Sequence, residues 1–252
     1  SLAILDLLVR LGSGFDIVSG GELERVLRAG GNPSDIVFSG VGKSEAEIRR
    51  ALQVGVRCLN LESQSELQRT ARIAEELEAI APIAIRINPD VDPRTHPYIA
   101  TGLEENKFGV TVNDAGAVFE MAASMKNIQI TGVACHIGSQ LTNIDPFVDA
   151  LEKVLDFVDQ LSQRGIVVNH LDLGGGLGIC YQHEVPPNPD VYTRSLIDVL
   201  KRRGSCLPVI IEPGRAIAGN AGVLLTRVEY LKHSEFRNFA VVDAGMNDLL
   251  RP

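Results

Sequence analysis

The segment VNHLDLGGGLG, at positions 168–178, decides the fold class. It begins as a short apolar run and ends in three consecutive glycines, Gly174, Gly175 and Gly176. A strand that runs into a glycine turn is typical of parallel α/β sheets, in which a helix follows the turn. Backbone N–H groups of such a turn can also converge on an anion such as a phosphate. A tight turn without a ligand is the alternative. The Rossmann fingerprint is excluded because its last glycine would fall on Ile179.

Six other short runs of apolar and β-branched residues are separated by amphipathic segments, which predicts an alternation of strands and helices. With the first run included, the predicted strands occupy residues 15–18, 36–39, 57–61, 83–88, 130–136, 168–173 and 209–212. Seven alternations with short connections indicate a parallel sheet covered by helices. The periodicity leaves two closures open, an open doubly wound sheet and a (β/α) barrel.

Local signals mark where the intervening helices begin and end. A serine followed three positions later by a glutamate predicts a capping box, in which both side chains accept hydrogen bonds from free backbone N–H groups. Three pairs fit this pattern: Ser19 with Glu22, Ser44 with Glu47, and Ser63 with Glu66. Asp145 and Pro146 predict a further helix start with Asp145 as the N-cap. The glycines predicted to end helices are Gly30, Gly165 and Gly204.

The composition is that of an ordinary globular protein and argues against several functions. Of the 252 residues, 45% are apolar and 22% are charged, and the formal net charge is −8. This acidic balance argues against a surface for nucleic acid or anionic membranes. No run reaches the roughly 18 apolar residues of a membrane span. The first eleven residues predict a helix and not a signal peptide, because Asp6 interrupts them. Four widely spaced cysteines argue against a zinc site or a disulfide framework and favour a cytoplasmic location.

Two further motifs follow predicted strands. Glu212-Pro-Gly-Arg215 offers a carboxylate that can keep a heterocyclic nitrogen protonated and an arginine that can bind a carboxylate or a phosphate. An ordinary ion pair at a turn is the alternative. His136-Ile-Gly-Ser139 places a histidine where it can stack on a ring, transfer a proton or satisfy a buried hydrogen bond. Because these motifs and the glycine run all follow strand ends, we expect them to meet at one edge of the sheet.

Two lysines are candidates for functional groups. The tripeptide GKS at 42–44 is similar to the end of a P-loop, but the first glycine of that motif would fall on Val37. We therefore interpret Lys43 as a solvated residue at a helix start. Lys107 lies in the longest predicted loop, between residues 88 and 113, and is predicted to order that loop through an ion pair.

The pattern changes near Gly219. Residues 222–232 and 238–243 predict two longer strands with no helix between them. They indicate the start of a second, β-rich domain.

Seven motifs, in order along the chain, resemble those of the diaminopimelate decarboxylase branch of the fold type III pyridoxal-phosphate decarboxylases, which have an alanine-racemase-like barrel. They are FDIVSGGEL (15–23), HPYIATG (96–102), KFG (107–109), CHIGSQ (135–140), DLGGGLG (172–178), EPGR (212–215) and DAGMND (243–248). The resemblance implies a TIM-type (β/α)8 barrel followed by a β domain, pyridoxal 5'-phosphate as cofactor, and a homodimer.

In that family the lysine that binds the cofactor covalently lies on the first barrel strand, in a Lys-Ala-Asn stretch that would precede Ser1. We therefore expect residues 1–218 to form the cofactor-binding barrel without its first strand. Residues 219–252 would begin an incomplete C-terminal β domain. The catalytic residues stay unassigned, because the resemblance does not transfer the role of that lysine to Lys43 or Lys107.

The resemblance implies roles for the remaining site residues. The glycine run at 174–176 would bind the cofactor phosphate, with help from backbone groups of Gly214 and Arg215 and with Ser139 nearby. His136 would stack on the pyridine ring. Glu212 would keep the ring nitrogen protonated, so that the ring accepts electrons. The side chain of Arg215 would also bind a substrate carboxylate.

The implied activity is the decarboxylation of meso-2,6-diaminopimelate to L-lysine and carbon dioxide, a step of lysine biosynthesis. Two alternatives stay open. The same fold could act on ornithine, arginine or a related diamino acid, or the chain could be a non-catalytic module for cofactor binding or dimerisation. Turnover of these substrates distinguishes the first alternative, and the sequence before Ser1 distinguishes the second.

Overall fold

A computed structural model describes residues 1–91 and 108–249 and shows a parallel sheet whose main strands follow one another in chain order. The predicted strands are confirmed, with small shifts at their ends. Residues 110–111 form an additional two-residue strand, which pairs with the end of the strand at 81–88. The strands are β1 (Phe15–Ile17), β2 (Ile36–Phe38), β3 (Cys58–Leu61), β4 (Ala81–Asn88), β5 (Val110–Thr111), β6 (Ile128–Ala134), β7 (His170–Asp172) and β8 (Val209–Ile210).

Helices connect the strands and cover one face of the sheet. They are α1 (Leu2–Arg10), α2 (Gly20–Arg28), α3 (Glu45–Val54), α4 (Gln64–Glu76), α5 (Val112–Ser124), α6 (Asp145–Gln163), α7 (Pro189–Arg203) and α8 (Arg215–Ala218), with a short 3-10 helix at Pro33–Asp35. Among the described residues, no helix is long and apolar enough to cross a membrane.

The apolar core lies between the helices and the sheet, and the opposite face of the sheet carries smaller side chains. The core includes Phe38, Leu59 and Phe119, none of which is accessible to solvent. Since strand residues alternate between faces, their neighbours Val37 and Cys58 form a separate small cluster on the other side, with Ala84 and Ala134. Small residues on this inner face leave room for a cavity.

The sheet curls into a barrel-like form. Asn60 on β3 and Asp172 on β7 are separated in the sheet by β4 and β6, which would place flat strands about 14 Å apart at the usual spacing. Their side chains are nevertheless hydrogen-bonded at 2.9 Å. Only strong curvature explains this contact, so the barrel and not the flat open sheet is the observed closure.

The barrel is open along one side. Among the described residues, no backbone ladder joins β1 to β8. A groove of about 620 Å³ lies between these two edges and is lined by apolar residues such as Leu8, Phe15 and Ile210, with Asp16 and Glu212 in it. The predicted (β/α) barrel lacking one strand is therefore confirmed as an architecture.

The helix starts agree with the predicted caps in part. Ser44 and Glu47 form the full capping box. Ser19 and Ser63 accept the predicted N–H groups, but the carboxylates of Glu22 and Glu66 reach one residue further back. Those carboxylates accept from the residue before the cap because the chain enters each helix from a strand end.

Two further helix predictions can be judged. The predicted N-cap role of Asp145 is wrong, because Asp145 is already helical and Ile144 is the cap. Gly30, Gly165 and Gly204 all adopt positive φ at helix ends, as predicted.

Lys43 is buried and not solvated, which corrects the prediction from sequence. Its side chain has no accessible surface and its ammonium pairs with Glu66 Oε1 at 2.8 Å. The ammonium also donates to the carbonyl oxygens of Gly40 and Asn60, both at 2.7 Å. The start of α4 lies beside the start of α3 across the barrel rim, and this contact was not visible in the local pattern.

Substitution of Lys43 by methionine is expected to destabilise the fold by about 3–5 kcal/mol, because it leaves the buried carboxylate of Glu66 without its partner. Chemical denaturation with a two-state fit measures this change. The matched control is Arg194→Ala, since Arg194 and Asp190 form an exposed ion pair at 3.3 Å that is worth about 0.5 kcal/mol or less. Equal effects of the two substitutions would contradict the structural role of Lys43.

The C-terminal part of the described chain differs in character. Strands β9 (Val228–Lys232) and β10 (Phe239–Val242) form an antiparallel pair, as the predicted strands there suggested. Nearly all side chains of 219–249 are exposed. The division of the chain into a barrel domain of residues 1–218 and a β domain beginning at 219 stays a prediction.

Candidate functional site

A polar cavity of about 250 Å³ opens at the C-terminal ends of the strands. It collects side chains from β1, β3, β4, β7 and the segments after β6 and β8, which are far apart in sequence. The polar and charged residues that line it are Asp16, Ser39, Asn60, Glu62, Arg86, His136, Asp172 and Glu212. The predicted meeting of the motifs at one edge of the sheet is therefore observed for His136 and Glu212.

The glycine run packs tightly against the other two motifs. A Cβ atom at Gly174 would lie 2.6 Å from His136 Nδ1, and one at Gly175 would lie 2.3 Å from the carbonyl oxygen of Glu212. A Cβ atom at Gly176 would lie 2.5 Å from the carbonyl oxygen of Gly138. Gly174 and Gly176 also have positive φ, of 67° and 113°. Glycine is required here by both space and backbone conformation.

The N–H groups of the run have different partners. Gly174 N–H donates to Asp172 Oδ1 at 3.0 Å, and Gly175 N–H donates to His136 Nδ1 at 3.1 Å. The N–H of Gly176 has no hydrogen-bond acceptor among residues 1–91 and 108–249. Of the three amides, that of Gly176 is the one left to bind an anion.

His136 is held as a neutral imidazole. Its Nδ1 accepts the Gly175 N–H and therefore carries no proton. Burial, with a contribution from the charge of Arg86, lowers the pKa of His136 to about 4. At neutral pH the ring proton is on Nε2, and the ring suits stacking better than proton uptake.

Four carboxyl groups line the cavity, and three of them, those of Asp16, Asp172 and Glu212, act on one another. Burial raises the pKa of Glu212, and the negative charges of Asp172 and Asp16 raise it further. Glu212 Oε1 is buried and has no hydrogen-bond donor among the described residues. A cationic N–H group in the cavity would supply the missing donor and relieve the repulsion between the carboxylates.

Asp16 is predicted to make the stability of the ligand-free protein depend on pH. Asp16 as a whole residue is exposed at the gap between β1 and β8, but its carboxyl group is surrounded by protein. This desolvation raises the pKa of Asp16 from 3.8 to about 7, and the charge of Asp172 adds to the shift. The folded state therefore binds the proton more tightly than the unfolded state. The stability contributed by this proton is present at low pH and is lost as the pH rises through this range.

Asp16→Asn is expected to remove this pH dependence. Thermal unfolding of Asp16→Asn and of the unsubstituted protein at pH values between 3.8 and about 7 measures the difference in stability. Asp6→Asn is the control, because Asp6 lies on the exposed face of α1 in an ion pair with Arg10. Parallel stability curves for Asp16→Asn and the unsubstituted protein would contradict the assignment.

The remaining predicted site residues lie at the same end of the barrel. Ser139 is in the loop after β6, between Gly138, which touches Gly176, and Gln140, whose amide group bonds both backbone groups of Ile179. Gly214 and Arg215 follow Glu212 after one intervening residue, Pro213.

The guanidinium of Arg215 is oriented by Tyr181. It donates to the Tyr181 hydroxyl and lies 5.6 Å from the centre of that ring. Its Nε is buried without an acceptor among the described residues. The arginine is therefore not in the ion pair with Glu212 that was the alternative interpretation of this motif.

Sequence reasoning assigned no role to Asp16, Asn60, Glu62 or Arg86. Arg86 contacts Glu62 at 3.2 Å and lies 5.2 Å from the centre of the Phe108 ring. The one available signal was a charged side chain inside an otherwise apolar strand, in the segment IAIRIN. The motif at 96–102 and Lys107, with its predicted ion pair, lie outside the described residues.

Comparisons with known proteins identify the family of this chain. The pattern of the family described as "Pyridoxal-dependent decarboxylase, pyridoxal binding domain" matches residues 1–219. The diaminopimelate decarboxylase of Vibrio cholerae is 58% identical over 252 residues, which cover 100% of this chain and 60% of that protein. The chain thus spans about 60% of the length of the relatives it matches.

Solved structures agree with the sequence relatives. The crystal structure of diaminopimelate decarboxylase from Helicobacter pylori complexed with L-lysine has a TM-score of 0.91 and 45% identity, and the match covers 100% of this chain and 63% of that one. A lysine/ornithine decarboxylase from Vibrio vulnificus, complexed with putrescine, has a TM-score of 0.78 and 25% identity, covering 98% of this chain and 62% of that one. This chain belongs to the pyridoxal-dependent decarboxylase family, within which it matches the pyridoxal-binding domain.

Proposed function

We propose that the protein decarboxylates meso-2,6-diaminopimelate to L-lysine and carbon dioxide with pyridoxal 5'-phosphate as cofactor. The observation that carries this proposal is the buried oxygen of Glu212, which has no hydrogen-bond donor among the described residues. Glu212 lines the cavity together with His136, and the glycine run packs against both residues. The 58% identity to a diaminopimelate decarboxylase supports the choice of substrate.

The residues present fit the cofactor. Glu212 Oε1 has no donor in the described part of the chain, and a protonated pyridine nitrogen would supply one. The Gly176 N–H lacks an acceptor among the described residues, and the glycines, which have no Cβ atom, let a phosphate approach the backbone. Gly214, the backbone of Arg215 and Ser139 would complete the phosphate site. Bound pyridoxal phosphate supplies a ring that accepts the electron pair released when carbon dioxide leaves.

Each residue of the site would then have one task. The carboxylate of Glu212 would hold a proton on the ring nitrogen, and the cationic partner would lower the pKa that burial has raised. The neutral imidazole of His136, fixed by Gly175, would stack on the ring. Because its pKa is about 4, His136 would add no positive charge that competes with the protonated nitrogen.

Arg215 would provide selectivity for a substrate with a second carboxylate. Its guanidinium is presented by Tyr181 and does not pair with Glu212. Ornithine and arginine lack the distal carboxylate that an arginine binds in a bidentate manner. The lysine/ornithine decarboxylase, which represents the alternative substrate class, is 25% identical, a weaker match than that to the diaminopimelate decarboxylases.

Lys43 does not suit the covalent attachment of a cofactor. Its ammonium already contacts Glu66 and two carbonyl oxygens, and the side chain is inaccessible. We therefore assign the covalent role to no lysine among the described residues.

The test is carbon dioxide release from meso-diaminopimelate in the presence of pyridoxal phosphate, with ornithine, arginine and lysine as competing substrates. It is run on the 252-residue chain and on a version extended by a first strand that carries Lys-Ala-Asn. Activity confined to the extended version supports the site assignment. Activity in the 252-residue chain would mean that a lysine within it binds the cofactor covalently. A folded, extended protein that binds the cofactor but turns over no substrate leaves two explanations, the incomplete C-terminal domain or the non-catalytic module, and the same assay on the intact protein distinguishes them.

We further propose a homodimer and a cytoplasmic location. The dimer rests on the family resemblance, and light scattering of the intact protein tests it. The location is supported by the four cysteines, all of which are free. Fractionation of cells that express the intact protein tests it.

A further inference from the structure

Asp172 is a buried carboxylate whose role is not explained by ligand binding. It ends β7, two residues before Gly174 at the start of the glycine run, and is 1% exposed. A buried carboxylate is costly unless its oxygens are hydrogen-bonded. The partners of its two oxygens therefore indicate what the residue does.

One oxygen fixes the start of the glycine turn. Asp172 Oδ1 accepts the N–H of Gly174, and the carbonyl oxygen of Gly174 accepts the N–H of Glu212 at 2.8 Å. Hydrogen bonds therefore hold the peptide groups on both sides of Gly174, and they hold this residue at a positive φ of 67°. The next N–H, that of Gly175, is aimed at His136 Nδ1 as a consequence.

The other oxygen is held from across the barrel. Asp172 Oδ2 accepts the side-chain N–H of Asn60 at 2.9 Å, and the same amide nitrogen contacts Ser39 Oγ at 3.1 Å. Asn60 is 3% exposed and lies on β3. Each of the two Asp172 oxygens accepts one hydrogen bond, so the side chain satisfies the donors Asn60 and Gly174 at once.

We propose that Asp172, held by Asn60, is the positioning residue of this site and fixes the Gly174 turn that orients His136 and presents the Gly176 N–H. The inference rests on the proposed function, because it assumes that this turn faces a cofactor phosphate. Asparagine at position 172 has one acceptor oxygen for these two donors, so its NH2 group would face either the NH2 group of Asn60 or the N–H of Gly174. Exchanging the two residues would restore a donor facing an acceptor.

The test is an absorbance titration of the intact protein with pyridoxal phosphate and, separately, with pyridoxal, which has no phosphate. Three proteins are compared: the unsubstituted protein, Asp172→Asn, and the double variant Asn60→Asp/Asp172→Asn. For Asp172→Asn we expect affinity for pyridoxal phosphate to fall about tenfold, the scale of one mismatched buried hydrogen bond, with a much smaller change for pyridoxal. The double variant should recover most of the preference for the phosphate form.

The outcomes separate the two proposals. If Asp172→Asn lowers only the melting temperature and keeps the ratio of the two affinities, the residue is merely structural and the inference is overturned. If Asp172→Asn does not fold, the double variant decides, and loss of the phosphate preference in a folded double variant overturns the inference. If the unsubstituted protein binds no pyridoxal phosphate, the proposed function fails, and this inference fails with it.

Discussion

Substitution of Gly175 by alanine is expected to lower decarboxylation by roughly 100-fold, the loss produced when a reacting group is misplaced by about 1 Å. The added Cβ atom would lie 2.3 Å from the carbonyl oxygen and 3.2 Å from the carbonyl carbon of Glu212. Both are backbone atoms, so no side-chain rotation relieves the contact. The end of β8 must move, and Glu212 and the Gly175–His136 hydrogen bond move with it.

Initial rates with meso-diaminopimelate and the affinity for pyridoxal phosphate measure this effect on the intact protein. Gly42→Ala is the matched control, because a Cβ atom there has no neighbour within 4 Å and Gly42 has no positive φ. It should leave both quantities unchanged. Full activity in Gly175→Ala would show that the close packing of the glycine run on Glu212 is not needed for function.

Replacement of Glu212 by glutamine is expected to lower the turnover number by about 100-fold to 1000-fold, the range for removing one preorganised electrostatic partner. Glutamine keeps the shape of the side chain but cannot carry the negative charge that would hold a proton on a ring nitrogen. The same change removes a carboxyl group whose pKa is raised by burial and by Asp172 and Asp16. The melting temperature of the ligand-free protein should therefore stay constant or rise at neutral pH and above.

This combination of lower activity and unchanged or higher stability separates a functional role from a structural one. Turnover and thermal unfolding are measured on the same preparations. Glu24→Gln is the control, since Glu24 is exposed and pairs with Arg50 at 2.9 Å. A destabilised Glu212→Gln protein would mean that the carboxylate supports the fold. Unaltered turnover would remove Glu212 from the mechanism.

The cavity thus combines a rigid part and an electrostatic part. The rigid part is the glycine run, locked by Asp172, His136 and the backbone of Glu212. The electrostatic part is the set of carboxyl groups from β1, β7 and the segment after β8, opposed by Arg86. Such a group of neighbouring buried carboxyls, one of whose oxygens has no donor among residues 1–91 and 108–249, is costly in a ligand-free fold and is typical of functional sites.

Local patterns in the sequence were enough for most of the secondary structure. Alternating apolar runs and helix caps depend on neighbours within a few residues, which explains why all seven predicted strands and the Ser44 capping box are observed. The position of each motif after the end of a strand was predicted by the same reasoning. Lys43 was misjudged because a charged residue at a helix start is usually solvated, and its burial depends on Glu66 in the next helix.

The sequence by itself determined the order of strands and helices, the parallel sheet, the glycine turn and, through the resemblance of its motifs, the family. Only the tertiary structure decided that the sheet curls, because the Asn60–Asp172 contact joins residues 112 positions apart. It also decided that Asp16, Arg86 and Glu212 share one cavity and that two of the glycine amides are already engaged. The physical reason is that hydrophobic periodicity specifies which face of an element is buried, whereas the partner of a buried polar group is set by the closure of the whole barrel.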